Sequence, residues 1–202
     1  MMTAASARAM RLFIAIPIPA PAAHALQEWV AASKPYLPFR KWTHPRDYHI
    51  TLQFLGDVSG DQVDALHSAL RAVRSCAIRL ALNGFGIFGS PKAPRVLWAA
   101  ADGELDRLTL LHQAIIEATG ALGYKAEDRP YAPHITLARG FDGERQLDYA
   151  NTGMNSNGTL PFEAKARAPR GFAWEADRFV LMRTHMHASP MYEIIGEYPL
   201  LL

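Results

Sequence analysis

The chain has 202 residues, half of them apolar and one fifth charged, a soluble globular composition long enough to bury a core without covalent staples. A single cysteine, Cys76, excludes an internal disulfide and fits a reducing compartment; it reads as a small buried apolar residue rather than a nucleophile. The formal net charge is only +2 and no run of five or six Lys/Arg occurs, so the clustered basic surface typical of binding to long nucleic acid is missing, while a small anionic substrate or an RNA end is permitted.

Arg8 and Arg11 precede the apolar run Leu12–Ile16, a loose imitation of a signal peptide. Pro17, Pro19 and Pro21 would break an apolar helix at once, so residues 11–16 read as a buried strand and the protein as cytoplasmic, with no membrane partner. Helix formers at 20–33 predict a helix ended by Pro35, and residues 48–55 a strand closed by Gly56. Val63, Leu66, Leu70 and Val73 mark a helical face over 61–73. Residues 77–88 and 95–101 read as strands around Gly89-Ser90-Pro91. Residues 105–122 give the strongest helical pattern, ended by Gly120 and Gly123. Strands follow at 134–138, 178–184 and 191–198, with an Asn- and Gly-rich loop over 141–160. No regular βαβ series and no glycine-rich phosphate loop appears, which predicts an α+β fold with helices on largely antiparallel sheet.

The informative feature is a tetrapeptide used twice: His49-Ile50-Thr51-Leu52 and His134-Ile135-Thr136-Leu137, 85 positions apart (134 − 49). Residues two apart on a strand share a face, so each copy sets His and Thr on one side, Ile and Leu on the other. Pro45 and Pro130 each lie four positions before their histidine, flanked by Arg46 and Arg129. A lone His-x-Thr is an ordinary polar pair on a sheet. Two identical copies in matching surroundings point to two lobes related by a pseudo-two-fold axis, facing one cleft.

The chemistry gives a reason for the duplication. Opening a cyclic phosphodiester with water needs a base for the nucleophile's proton and an acid for the leaving oxygen. Imidazole, with an ordinary pKa of about 6.5, can supply both near neutral pH. The two threonine hydroxyls can hydrogen-bond the non-bridging oxygens. The scheme needs neither metal nor cofactor.

On the opening RLFIAIPIP, the blocks PRDYHITLQFLGDV, RVLWAA and RPYAPHITLAR, and the ending YEIIGEYPL, the chain resembles the 2H phosphoesterase superfamily, in particular its RNA 2′,3′-cyclic phosphodiesterases, also called 2′-5′ RNA ligases. The resemblance spans about Arg11 to Leu200. It implies one bilobal domain over 1–202 with a central cleft, hydrolysis to 2′-phosphate ends and a secondary, reversible 2′-5′ RNA joining. It further implies that His49 donates a proton to the leaving oxygen, that His134 is the base for water, and that Thr51 and Thr136 hold the phosphate. Arg139 is a candidate phosphate contact, although it shares the strand parity of Leu137 and could equally form a surface ion pair. Phe13 is a candidate wall for the substrate base, with a core position as its other reading.

Outside the motifs, His185 and His187 form a His-x-His pair that could bind metal but has no evident third ligand, and so reads as solvated. His44 reads as a turn residue, His24, His67 and His112 as surface positions on helices, and Trp42 and Trp98 as core residues able to stack on a base. RNA ends or small cyclic nucleotides are the expected partners of a monomer. The alternatives are a phosphodiesterase for small cyclic nucleotides or 2′-5′ oligonucleotides, an RNA-end binding module with little catalysis, and a metal enzyme built on His185 and His187.

Overall fold

The computed structural model describes residues 9–90, 93–142 and 169–201. Strand β1 (Met10–Pro17) has five consecutive buried residues, Leu12 to Ile16, as expected of a strand covered on both faces. Helix α1 (Ala20–Ser33) begins with Pro21 in its first turn, where a missing N–H costs nothing, and gives way to a short 3₁₀ turn containing Pro35. Then come β2 (Phe39–Trp42), β3 (His49–Val58), α2 (Val63–Ala72), the long hairpin β4 (Ile78–Ser90) and β5 (Ala93–Gly103), α3 (Leu105–Gly120), β6 (His134–Phe141), β7 (Arg170–Ala176), β8 (Arg178–Thr184) and β9 (Tyr192–Pro199).

Four expectations need correction. Strands β2 and β7 add to the elements expected from the sequence. Gly56 does not close β3: it adopts φ +74° opposite Leu12, where the ladder with β1 slips register, and the strand runs on to Val58. Cys76 is exposed, because it lies between α2 and β4 where only its main chain is engaged, in a bridge to Leu201. Phe141 belongs to β6; the rest of the 141–160 loop, beyond Asp142, falls outside the described residues.

The strands form one antiparallel sheet in the order β7-β4-β5-β6-β3-β1-β8-β9, with β2 attached to β6. Read outward from the β6–β3 junction, the two sides repeat: β6-β5-β4-β7 on one, β3-β1-β8-β9 on the other. In both, a helix links the two strands next to the junction, α1 between β1 and β3 and α3 between β5 and β6. The helices start at positions 20 and 105, the same 85-residue offset that separates the histidines. The expected bilobal α+β architecture is therefore present, with its halves joined into a continuous sheet.

The helices tie the halves together. Trp29 of α1 packs its ring 4.9 Å from Phe85 of β4, in the opposite half. Thr119 of α3 hydrogen-bonds Gln53 of β3, again across the axis. One buried cluster runs through both halves, including Ile14, Leu26, Ile50, Leu80, Leu111, Ile135 and Phe179. Among the described residues no helix is long and apolar enough to cross a membrane.

Candidate active site

The two tetrapeptides meet at the centre of the sheet. Strands β3 and β6 pair through Ile50 opposite Ile135, and both side chains are fully buried. Counting outward along this antiparallel pair sets His49 against Thr136 and Thr51 against His134. Directly opposed residues share a face, so the two His–Thr pairs lie together on the face away from the buried isoleucines. The pseudo-two-fold axis passes through the isoleucine pair.

Both imidazoles are held in the same way. The Nδ1–H of His49 donates to the Asp47 carbonyl at 2.7 Å, and that of His134 to the Ala132 carbonyl at 2.8 Å. A carbonyl can only accept, so the neutral ring carries its proton on Nδ1 and presents a bare Nε2. His49 Nε2 accepts from the Thr51 hydroxyl at 3.1 Å. A neutral ring of this tautomer can take a proton at Nε2, and a charged one can give it.

The surroundings differ between the copies. His49 is packed by Phe13, with ring centroids 4.9 Å apart, and by the edge of Tyr192 at 5.2 Å. The Asp47 carboxylate, 4% exposed, accepts from the backbone N–H groups of Met191 and Tyr192 at 2.8 and 3.2 Å and so fastens Tyr192 beside the ring. His134 is packed by Phe88 at 4.8 Å and Trp98 at 6.3 Å, and the residue matching Asp47 is Ala132. Burial pushes the His49 pKa down to about 4, with the His134 and Arg139 charges adding to the effect and Asp47 opposing it. His134 is lowered too, by burial first and then by Arg139 and Arg129, against its carbonyl bond and Glu127.

Both strands carry an irregularity just after the threonine. Leu52 and Gln53 are consecutively buried, as are Leu137 and Ala138, and each neighbouring ladder skips a residue there. The side chains that follow, Phe54 and Arg139, are thereby moved out of strict alternation and are exposed. This explains why the parity argument against Arg139 fails: its guanidinium donates to the Thr136 hydroxyl at 3.4 Å, and its charge acts on both histidines.

A pattern for the family described as LigT like Phosphoesterase matches residues 16–98 and 101–192. This chain belongs to the LigT-like phosphoesterase family. A Bacillus subtilis relative named RNA 2′,3′-cyclic phosphodiesterase is 35% identical, over 93% of this chain and 95% of its own length. A Geobacillus stearothermophilus protein of the same name is 37% identical over 94% of this chain, which spans only 57% of that protein. The crystal structure of E. coli LigT complexed with 3′-AMP shares the fold at a TM-score of 0.74, covering 96% of this chain and 99% of that one at 24% identity. The crystal structure of a Thermus thermophilus protein, TT0787, covers 95% and 98%, with a TM-score of 0.66 and 26% identity.

The structure brings together the histidines, threonines and Arg139 that the sequence reading named as candidates, and it adds packing around them that the sequence did not disclose. Phe13 takes the core reading: it is 2% exposed and backs His49, with almost no surface left for a base. Tyr192 and Phe88 carried no local signal, since their contacts with the histidines are remote in sequence. Trp98 lies opposite Thr136 on β5, on the His134 side of the cleft. Two helical histidines expected at the surface are half-buried: His67 bonds the Tyr198 hydroxyl at 2.7 Å, and His112 stacks on Tyr131 with centroids 4.0 Å apart. His24 is exposed beside Glu28, and His44 caps its turn by accepting from the Arg46 N–H. Trp42 donates to the Phe39 carbonyl under the Lys34 ammonium. His185 pairs with Glu193 at 2.7 Å; among the described residues no group of three or more His, Cys, Asp or Glu is placed to hold a metal ion.

Proposed function

We propose that the protein hydrolyses RNA 2′,3′-cyclic phosphate ends to 2′-phosphomonoesters, with His49 and His134 as its acid–base pair. The observation that carries this reading is the pair of imidazoles whose Nδ1 atoms are tied to backbone carbonyls while Arg139 acts electrostatically on both rings. The names of the relatives at 35% and 37% identity support the substrate class.

In the proposed step, His134 Nε2 takes a proton from water as the water oxygen bonds phosphorus. The bond from phosphorus to the ribose 3′ oxygen breaks, and His49 gives that oxygen its proton. Charge building on the non-bridging oxygens falls to the Thr51 and Thr136 hydroxyls and to Arg139. The residues themselves supply base, acid and anion stabilisation. A 5′-hydroxyl taking the place of water would give the 2′-5′ joining that the family resemblance implies.

The test is turnover of nucleoside 2′,3′-cyclic monophosphates in the presence of EDTA, with the product's phosphate position identified. Turnover is expected to persist and to leave a 2′-phosphate. His49→Ala and His134→Ala should each lower kcat about 10²–10⁴-fold, the usual worth of general acid–base help. Loss of turnover to the chelator would overturn the metal-independent scheme. Full activity in either alanine variant would remove that histidine from the mechanism.

A further inference from the structure

The Asp47 carboxylate lies almost wholly out of water, and among the described residues no Lys or Arg forms an ion pair with it. Its hydrogen bonds come from two main-chain donors, the N–H groups of Met191 and Tyr192. Charged side chains are rarely buried unless paired, because leaving water disfavours the charged form. A buried anion without a resident cation suits a cation that forms only at one stage of a reaction. His49 can become that cation: its Nδ1–H donates to the carbonyl of this same aspartate at 2.7 Å.

The second copy has no such group. The residue 85 positions after Asp47 is Ala132, which gives His134 a carbonyl but no carboxylate. The other neighbours of His49 do not favour a proton on it. Burial drives the ring toward its neutral form, and His134 and Arg139 of β6 oppose a further positive charge. Phe13 of β1 carries no charge, and Tyr192 of β9 is a phenol that burial keeps neutral. Around His134, Arg139 and Arg129 oppose a proton and Glu127 favours one. The carboxylate acting on His49 is that of Asp47.

We propose that Asp47 is the positioning residue that commits His49 to the role of acid: its carbonyl aims the ring, and its carboxylate pins Tyr192 against that ring while keeping a negative charge near it. The division of labour that the family resemblance implies thereby has a cause in this chain, the difference between Asp47 and Ala132. A bound phosphate adds its own negative charge, and the two anions together hold the proton on His49 until the leaving oxygen takes it. This inference rests on the cyclic phosphodiesterase reading.

The test is Asp47→Asn, which keeps the shape of the side chain and removes its charge. The titration of His49 is followed by NMR with sulfate bound, an anion that does not itself titrate near neutral pH, beside kcat on cytidine 2′,3′-cyclic phosphate. In the variant His49 is expected to titrate about one pH unit lower, with His134 moved less, and kcat at pH 7 to fall about tenfold, since one unit is a tenfold change in the protonated fraction. A carboxylate that only braced Tyr192 predicts the opposite sign: a loosened tyrosine admits water, and the His49 pKa rises toward the ordinary imidazole value of about 6.5. A rise, or an unmoved titration, would overturn the proposal. Should Asp47→Asn fail to fold, Asp47→Ser, whose hydroxyl still accepts from one N–H, takes its place with the same expected direction. If the wild type turned over no cyclic phosphate, the parent reading would fail. The sulfate-bound titration would still decide Asp47, a fall in the variant supporting its role and a rise or no change overturning it.

Discussion

At the scale of single residues, the two histidines share a tautomer but not an environment. Both are pushed below the ordinary imidazole pKa by burial, His49 down to about 4, so both rings are neutral in the free protein at pH 7. The proposed reaction needs one of them charged. A bound cyclic phosphate brings a negative charge into the same poorly solvated site, which raises imidazole pKa values in the complex. The profile of kcat/KM reports the free protein and that of kcat the complex. The optimum of kcat/KM should therefore lie on the acid side of about pH 6.5, between the two depressed pKa values, and fall as pH rises above it. The alkaline limb of kcat should lie at higher pH than that of kcat/KM. Rate profiles from pH 4 to 9 check this; coincident alkaline limbs near the ordinary histidine value would show that neither burial nor the bound phosphate sets the titration. The sign for stability follows from the same shifts. Between about pH 4 and 6.5 the unfolded chain takes up protons that folded His49 does not, so stability contributed by the neutral ring is lost as pH falls through that window.

At the scale of elements, the site depends on where strands depart from regularity. The irregularity after each threonine aims Phe54 and Arg139, and β4 needs Gly86 because Trp98 lies across it. A Cβ at Gly86 would stand 2.3 Å from Trp98 Cζ2. Gly86→Ala must displace the indole from its place near His134, at a cost of about 1–3 kcal/mol for overpacking. The expected outcome is a lowered Tm together with reduced kcat/KM and altered tryptophan fluorescence; an unchanged Tm and rate would mean the indole is free to move. These details also mark the limit of what the sequence discloses. The main elements were legible because their periodicities are long, as in β1, α1 and α3, and the paired candidate histidines because an identical tetrapeptide recurs. Strand β2 is four residues long and its pairing with β6 is distant in sequence, so no local pattern announces it. Strand parity alone could not place the Arg139 side chain, because the slip that turns it toward Thr136 belongs to the pairing with β5, not to β6 alone. Asp47 was invisible as a fastener because its partners, Met191 and Tyr192, lie more than 140 positions away.

At the scale of the whole molecule, two related halves could behave as two units or as one, and the packing decides for one. The central β3–β6 pairing is slight, recorded at Ile50 and Ile135 alone, so the sheet by itself would be a weak hinge. The exchanged helices oppose that weakness. Trp29 of α1 lies against Phe85 of the other half, and α3 reaches β3 through Thr119 and Gln53, all within or beside a single buried cluster. Separating the halves would expose both contacts at once, more than a marginal stability of about 5–15 kcal/mol readily absorbs. Unfolding should accordingly be a single transition, with far-UV circular dichroism and tryptophan fluorescence coinciding. Trp29→Ala should lower stability by about 3–5 kcal/mol, the usual cost of removing a buried tryptophan, while leaving the transition single. If one half melted first in that variant, the two probes would separate and the denaturation curve would become biphasic. The geometry that brings the two histidines onto one face would then rest on the β3–β6 junction alone, and activity would disappear with the first phase rather than the last.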